Sequence, residues 1–68
     1  MTSAELARWR ADLALSQRAA AAALGVTLTT YQSMERGTAW GSGQPIEIDR
    51  RTALACAAIR AGLAPVGE

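Results

Sequence analysis

Residues 15–37 read LSQRAAAAALGVTLTTYQSMERG, and this stretch decides the fold. It contains two short helical patterns, and each pattern ends at a glycine, Gly25 or Gly37. Glycine readily adopts the left-handed conformation that closes many helices, while Ser16 and Thr27 are residue types that cap helix starts. Helices this short are not stable alone in water. We therefore predict two helices joined by a tight turn and held together by packing.

Another helix is predicted before this stretch, over about residues 3–14. Thr2 or Ser3 can cap its start, because the hydroxyl can accept a hydrogen bond from a free backbone amide. Its apolar stripe at helical spacing consists of Leu6, Trp9 and Leu13. Charged residues lie off that stripe, so we expect one face to be buried.

A fourth helix is predicted after the stretch, over residues 50–61, with Asp49 as its cap. Its predicted apolar face consists of Leu54, Ala55, Ala58 and Ile59. Residues 38–45, TAWGSGQP, are rich in Gly, Ser and Pro and are predicted to form a loop. The fold class predicted for the chain is therefore all-α, a small bundle of four or five short helices.

The composition limits the possible functions. A domain of 68 residues buries only about 60% of its unfolded surface, which leaves it marginally stable. Cys56 is the single cysteine and histidine is absent, so the chain offers neither an internal disulfide nor a His/Cys metal site. We expect oligomerisation to supply the missing stability and no cofactor to be bound. We also predict that the chain is not an enzyme, because no acid, base and nucleophile can be assembled from these residues.

The chain has no segment that predicts a membrane span. Apolar runs such as Ala19–Leu24 are far below the roughly 18 residues that cross a bilayer. Charges occur throughout the first ten residues, unlike a secretion signal. We therefore expect a soluble, cytoplasmic protein. The formal net charge is only +1, so composition alone does not indicate a polyanionic partner.

The second helix of the central stretch separates into two faces. Leu28, Tyr31 and Met34 follow one another at three-residue steps and are predicted to face inward. The other face is polar, carries no acidic residue and consists of Thr29, Gln32, Ser33 and Arg36. Any exposed helix face is polar, but these side chains also match the donors and acceptors of base edges.

Several residues of the stretch, in this order, resemble the Cro/phage-repressor (XRE-like) helix-turn-helix family. The pattern is a Gln opening a helix, a small residue four positions later, a Gly and an apolar residue at the turn, and an ERG ending. The residues that carry it are Gln17, Ala21, Gly25, Val26, Tyr31, Met34, Glu35, Arg36 and Gly37. The resemblance covers about residues 6–37. Compact phage and mobile-element regulators, including those that accompany anti-CRISPR genes, are similar in size and layout.

The resemblance implies that helix 28–36 enters the major groove of double-stranded DNA. The residues expected to contact bases are Thr29, Gln32, Ser33 and Arg36. Those expected to contact the DNA backbone are Gln17, Arg18, Thr27 and Thr30. Arg10 and Glu35 match positions that form an ion pair in similar repressors. That pair would set the angle of the helix that reads DNA.

The resemblance and the low charge together favour a homodimer. Residues 16–37 carry two arginines against one glutamate, so one protomer neutralises few phosphates. A two-fold dimer would reach two half-sites of a pseudo-palindromic operator about 34 Å apart. We predict one domain over residues 1–68, with the helix-turn-helix at 16–37 and with 38–63 completing the core and the dimer. The residues expected at the dimer interface are Trp40, Ile46, Ile48, Leu54 and Ile59.

The predicted function is a sequence-specific DNA-binding transcription regulator, a homodimeric repressor of an inverted-repeat operator that can regulate its own gene. No small-molecule effector is expected, because no second domain is visible in the sequence. The alternative is a protein-interaction module, an antitoxin-like or inhibitor-like helical domain with a protein partner. The weak net charge is compatible with that alternative.

Overall fold

Four α-helices follow one another along the chain: α1 (Ser3–Asp12), α2 (Gln17–Leu24), α3 (Leu28–Arg36) and α4 (Arg50–Arg60). The computed structural model describes residues 1–68, and it contains one isolated antiparallel bridge, between Thr38 and Pro45, but no sheet. The prediction of an all-α fold with four helices is confirmed, and there is no fifth helix. None of the four is long and apolar enough to cross a membrane.

Each helix begins at a side-chain cap. The cap accepts a hydrogen bond from a backbone amide of the first turn, which satisfies one of the free donors at a helix start. The four caps are Thr2, Ser16, Thr27 and Asp49. At α1 the Glu5 side chain also accepts from the Thr2 amide at 2.8 Å, completing a capping box.

The first helix ends earlier than predicted, at Asp12 instead of Ala14. Ala14 has a φ of 54°, and it is the single residue other than glycine with a positive φ. The amide of Ala14 donates to the Ala11 carbonyl, and the amide of Leu15 donates to the Arg10 carbonyl. These two bonds close the helix in the manner of a Schellman motif, with alanine where glycine is usual.

The core lies between the four helices. Its apolar members, all less than a tenth exposed, are Leu6, Trp9, Ala20, Ala21, Tyr31, Met34, Ile48 and Cys56. The small Ala20 and Ala21 side chains let α2 pack closely against its neighbours, and α2 contacts both α3 and α4. The Trp9 indole Nε1 donates to the Cys56 carbonyl at 2.9 Å, which ties α1 to α4.

Residues 38–45 form a hairpin, which we call the Trp40 hairpin. The Ala39 amide donates to the Gln44 carbonyl at 2.7 Å, and the Ile46 amide donates to the Gly37 carbonyl at 2.9 Å. Gly37 has a φ of +87°, and a Cβ at that position would lie 3.0 Å from the Ser3 hydroxyl. Gly37 therefore allows both the turn into the hairpin and the close approach of α1.

One prediction about the C-terminal half is corrected by the structure. Ile48, which was expected at a dimer interface, is 6% exposed because it packs into the core of its own chain. Leu54, which was predicted on the apolar face of α4 and at the dimer interface, is 57% exposed. Cys56 is the residue of α4 that lies in the core. Ile46 and Ile59 are half-buried against the core.

Candidate nucleic-acid interface

The polar face of α3 lines an open groove on the protein surface. Residues from α2, α3 and the Trp40 hairpin surround it: Gln17, Thr29, Gln32, Ser33, Glu35, Arg36 and Trp40. Only Trp40 among them is apolar. The groove thus brings together all four residues expected at bases and one of those expected at the DNA backbone.

An ion pair lies behind this groove and joins α1 to α3. Arg10 Nε donates to Glu35 Oε2 at 2.6 Å, and Arg10 Nη2 donates to Glu35 Oε1 at 3.2 Å. Arg10 Nη1 donates to the Leu15 carbonyl at 3.0 Å, which also fixes the start of the central stretch. Burial acts to raise the pKa of Glu35, but hydrogen bonds from Arg10 and Gln17 hold that pKa below its ordinary value.

The Glu35 carboxylate orients two glutamine side chains in series. Gln17 Nε2 donates to Glu35 Oε1 at 3.1 Å, and Gln32 Nε2 donates to Gln17 Oε1 at 3.3 Å. A carboxylate only accepts hydrogen bonds, so Gln17 must turn its nitrogen toward Glu35 and its oxygen toward Gln32. Gln32 must then turn its nitrogen toward Gln17. The charge of Glu35 therefore decides the orientation of an amide on the outer face of α3.

Arg36 is held at the end of α3 by its own chain. Its Nε donates to Thr38 Oγ1 at 3.2 Å, while its Nη2 donates to the Thr38 carbonyl at 3.0 Å and to Ser33 Oγ at 3.2 Å. The guanidinium carbon also lies 5.2 Å from the centre of the Trp40 ring, a cation–π distance. The Trp40 hairpin thus fixes the direction of the arginine that is nearest to it.

The remaining expected contact residues differ in accessibility. Thr29, Thr30 and Arg18 are exposed. Thr27 is also exposed, but its hydroxyl caps α3 and donates to the Thr30 hydroxyl at 2.9 Å. Ser33 is only 6% exposed, because it lies at the bottom of the groove beneath Arg36. The Ser33 hydroxyl accepts a hydrogen bond from Arg36 Nη2 at 3.2 Å.

Tyr31 is buried beside the ion pair. Burial raises the pKa of its hydroxyl, and the hydroxyl forms no hydrogen bond. An unpaired buried hydroxyl costs about 1–3 kcal/mol of stability. The ring of Tyr31 lies in the core, and its hydroxyl is directed toward the Arg10–Glu35 ion pair.

Sequence reasoning missed Thr38 as a partner of Arg36. Thr38 follows the predicted helix and has no place in a helical stripe, so no pattern marks it. Trp40, which was expected at the dimer interface, lines the groove beside α3 and is 77% exposed. No group of three or more metal-binding side chains is present.

Comparison with known families agrees with this geometry. A family model described as Helix-turn-helix matches residues 6–40, which include most of α1, all of α2 and α3, and the first part of the Trp40 hairpin. The match covers just over half of the chain. No curated protein and no solved structure matches the chain significantly. The chain belongs to the Cro/C1-type, XRE-like helix-turn-helix family of DNA-binding regulators.

Proposed function

We propose that the protein is a homodimeric repressor that binds an inverted-repeat operator through α3. The observation that carries this proposal is the orientation of Gln32 on the outer face of the second helix of the motif. Glu35 and Gln17 fix that amide before any ligand arrives. A fixed amide loses less conformational entropy on binding than a free one, so the groove favours recognition of a defined base.

Gln32 keeps the atoms that adenine recognition requires. One hydrogen of Nε2 is donated to Gln17, which leaves the second hydrogen of Nε2 and the acceptor Oε1. Adenine presents N7 as an acceptor and N6 as a donor in the major groove, and a glutamine amide can satisfy both. We therefore assign an adenine contact to Gln32. Thr29 is exposed in the same groove and is placed to contact a neighbouring base pair.

The polar contacts to phosphates are assigned to the start of α2 and to the turn before α3. The backbone amides at a helix start carry partial positive charge and attract phosphate oxygens. Arg18 is exposed on the first turn of α2, and Thr27 and Thr30 lie at the first turn of α3. The Gln17 side chain is already bonded to Glu35 and Gln32. The contact of Gln17 with a DNA phosphate is therefore assigned to its main-chain N–H.

The test uses Gln32→Ala with an operator selected by the wild-type protein from random double-stranded DNA. We expect a loss of about 2 kcal/mol per half-site, which is about 1,000-fold in the Kd of a dimer. Changing the selected adenine should weaken the wild type and leave the variant unaffected. Gln44→Ala is the matched control, since the Gln44 side chain makes no hydrogen bond. Full operator binding by Gln32→Ala would contradict the readout assigned to α3.

We propose a dimer for two reasons. One protomer carries few cations to neutralise DNA phosphates, and the C-terminal half exposes apolar side chains. Leu54 on α4 and Leu63 just after it are both more than half exposed. Large apolar side chains on one segment are typical of a protein–protein contact. Ile46 and Ile59 stay in the proposed interface, whereas Ile48 is left out because it is buried and Trp40 is left out because it lines the α3 groove.

Leu54→Glu is expected to convert the dimer to a monomer. A carboxylate in an apolar interface loses its hydration without a partner. In the monomer it is tolerated, because it lies four residues after Arg50 on the same helix face. Sedimentation at micromolar concentration should show the change, while Ala11→Glu on the exposed side of α1 should remain dimeric. A wild type that is monomeric with and without operator DNA would overturn the dimer.

A further inference from the structure

Arg36 has few hydrogens left for a ligand. A guanidinium carries five N–H hydrogens. The bonds to Thr38 and Ser33 use the one hydrogen of Nε and both hydrogens of Nη2. Both remaining hydrogens belong to a single nitrogen, Nη1. The ring of Trp40 also lies against the guanidinium and limits its rotation.

Guanine recognition needs more than this arrangement offers. Arginine reads guanine by donating from two nitrogens at once, to O6 and to N7. In the held conformation of Arg36 only Nη1 is free, so the paired contact cannot form without breaking the bond to Ser33 or those to Thr38. A phosphate makes no such demand, because a single charged nitrogen can donate to its oxygens. Gln32 differs, since it keeps a donor and an acceptor together.

We propose that Ser33 and Thr38 are positioning residues that direct Arg36 to the DNA phosphate backbone, so that α3 reads no guanine through Arg36. This inference rests on the proposed function of the α3 groove. It moves Arg36 from the base-contacting residues to the backbone-contacting residues. Base identity on α3 is then read through Gln32 and Thr29. The Trp40 hairpin becomes a part of the recognition surface, because it supplies Thr38 and the ring that covers Arg36.

The first experiment compares operators selected from random DNA by the wild type and by Arg36→Ala. We expect the same preferred sequence for both, with uniformly weaker binding by the variant. The slope of log Kd against log salt should fall by about 1 for each protomer, as expected for one lost phosphate contact. Arg60→Ala is the matched control, since it removes the same charge from the last turn of α4. A guanine that the wild type selects and Arg36→Ala loses would overturn the inference.

The second experiment releases Arg36 without removing it. Ser33→Ala combined with Thr38→Val removes both side-chain acceptors and nearly preserves side-chain volume. The freed hydrogens on Nε and Nη2 restore donation from two nitrogens, so we expect the double variant to select a new guanine. Far-UV circular dichroism verifies its fold. A folded double variant with the wild-type preference would contradict the positioning role, whereas a wild type that selects no sequence would contradict the proposed function itself.

Discussion

Trp9→Ala is expected to lower the free energy of unfolding by about 4 kcal/mol. Trp9 is 1% exposed and is the largest side chain of the core. Its removal leaves a cavity between α1 and α4 and also deletes the hydrogen bond to the Cys56 carbonyl. A domain of this size has a total stability of about 5 kcal/mol. The variant should therefore retain only about 1 kcal/mol of stability.

Trp9→Phe separates the two contributions of the indole. A phenyl ring retains much of the packing but leaves the buried Cys56 carbonyl without its donor, which costs about 1–2 kcal/mol. Urea unfolding followed by far-UV circular dichroism measures both variants. Trp40→Ala is the control, because Trp40 is exposed and its loss should scarcely change the unfolding midpoint. An equal loss of stability in Trp9→Ala and Trp40→Ala would contradict the expectation that the buried tryptophan contributes more than the exposed one.

The packing of α1 and α3 could be predicted because their inward residues repeat at helical spacing. Leu6, Trp9, Tyr31 and Met34 were identified in this way, and all are buried. The caps were equally predictable, since Ser, Thr and Asp before a helical pattern have one dominant use. The C-terminal half was less predictable. Alanine-rich α4 has apolar residues on several sides, so periodicity could not tell that Leu54 is exposed.

Two features had no local signal in the sequence. Ala14 ends α1 in a conformation that alanine seldom adopts, and it is held there by backbone hydrogen bonds and by the bond from Arg10 to the Leu15 carbonyl. Thr38 captures Arg36 because the Trp40 hairpin folds back beside α3, which depends on Gly37 and on the bridge from Thr38 to Pro45. Helical spacing predicts which residues share a face. It does not predict which hydrogen-bond donors on that face are already bonded within the protein.

Glu35→Gln is expected to cost about 2 kcal/mol of stability, because the charged hydrogen bonds from Arg10 are weakened at a site largely removed from water. It should also weaken operator binding. Arg10 donates to both carboxylate oxygens, so an amide at position 35 meets one Arg10 donor with its nitrogen in either orientation. When that nitrogen takes the place of Oε1, the Gln17 amide must reverse as well. Reversal at Gln17 would also reverse Gln32, which exchanges the donor and the acceptor that adenine requires. The variant should therefore lose stability in both orientations, and it should lose the single fixed orientation of Gln32 on which the adenine preference depends.

The prediction for Glu35→Gln is tested most directly by the pH dependence of stability. The pKa of Glu35 in the folded protein lies below its ordinary value of 4.5, so the unfolded chain takes up this proton first as the pH falls. The stability difference between wild type and Glu35→Gln should be constant near pH 7 and should diminish as the pH falls below about 4.5 and through the folded pKa. Urea unfolding at a series of pH values measures it.

Asp49→Asn is the matched control for Glu35→Gln. The Asp49 carboxylate also has a lowered pKa, caused by its hydrogen bonds to the Thr52 amide and to Arg51, but it is exposed. Asparagine is an equally good helix cap, so this change should leave stability near pH 7 almost unaltered and operator preference unchanged. A difference for Glu35→Gln that persists undiminished at pH 3 would show that its cost comes from altered packing. Only the loss of a charge that orients Gln17 and Gln32 predicts a stability cost that disappears in acid together with a changed base preference at neutral pH.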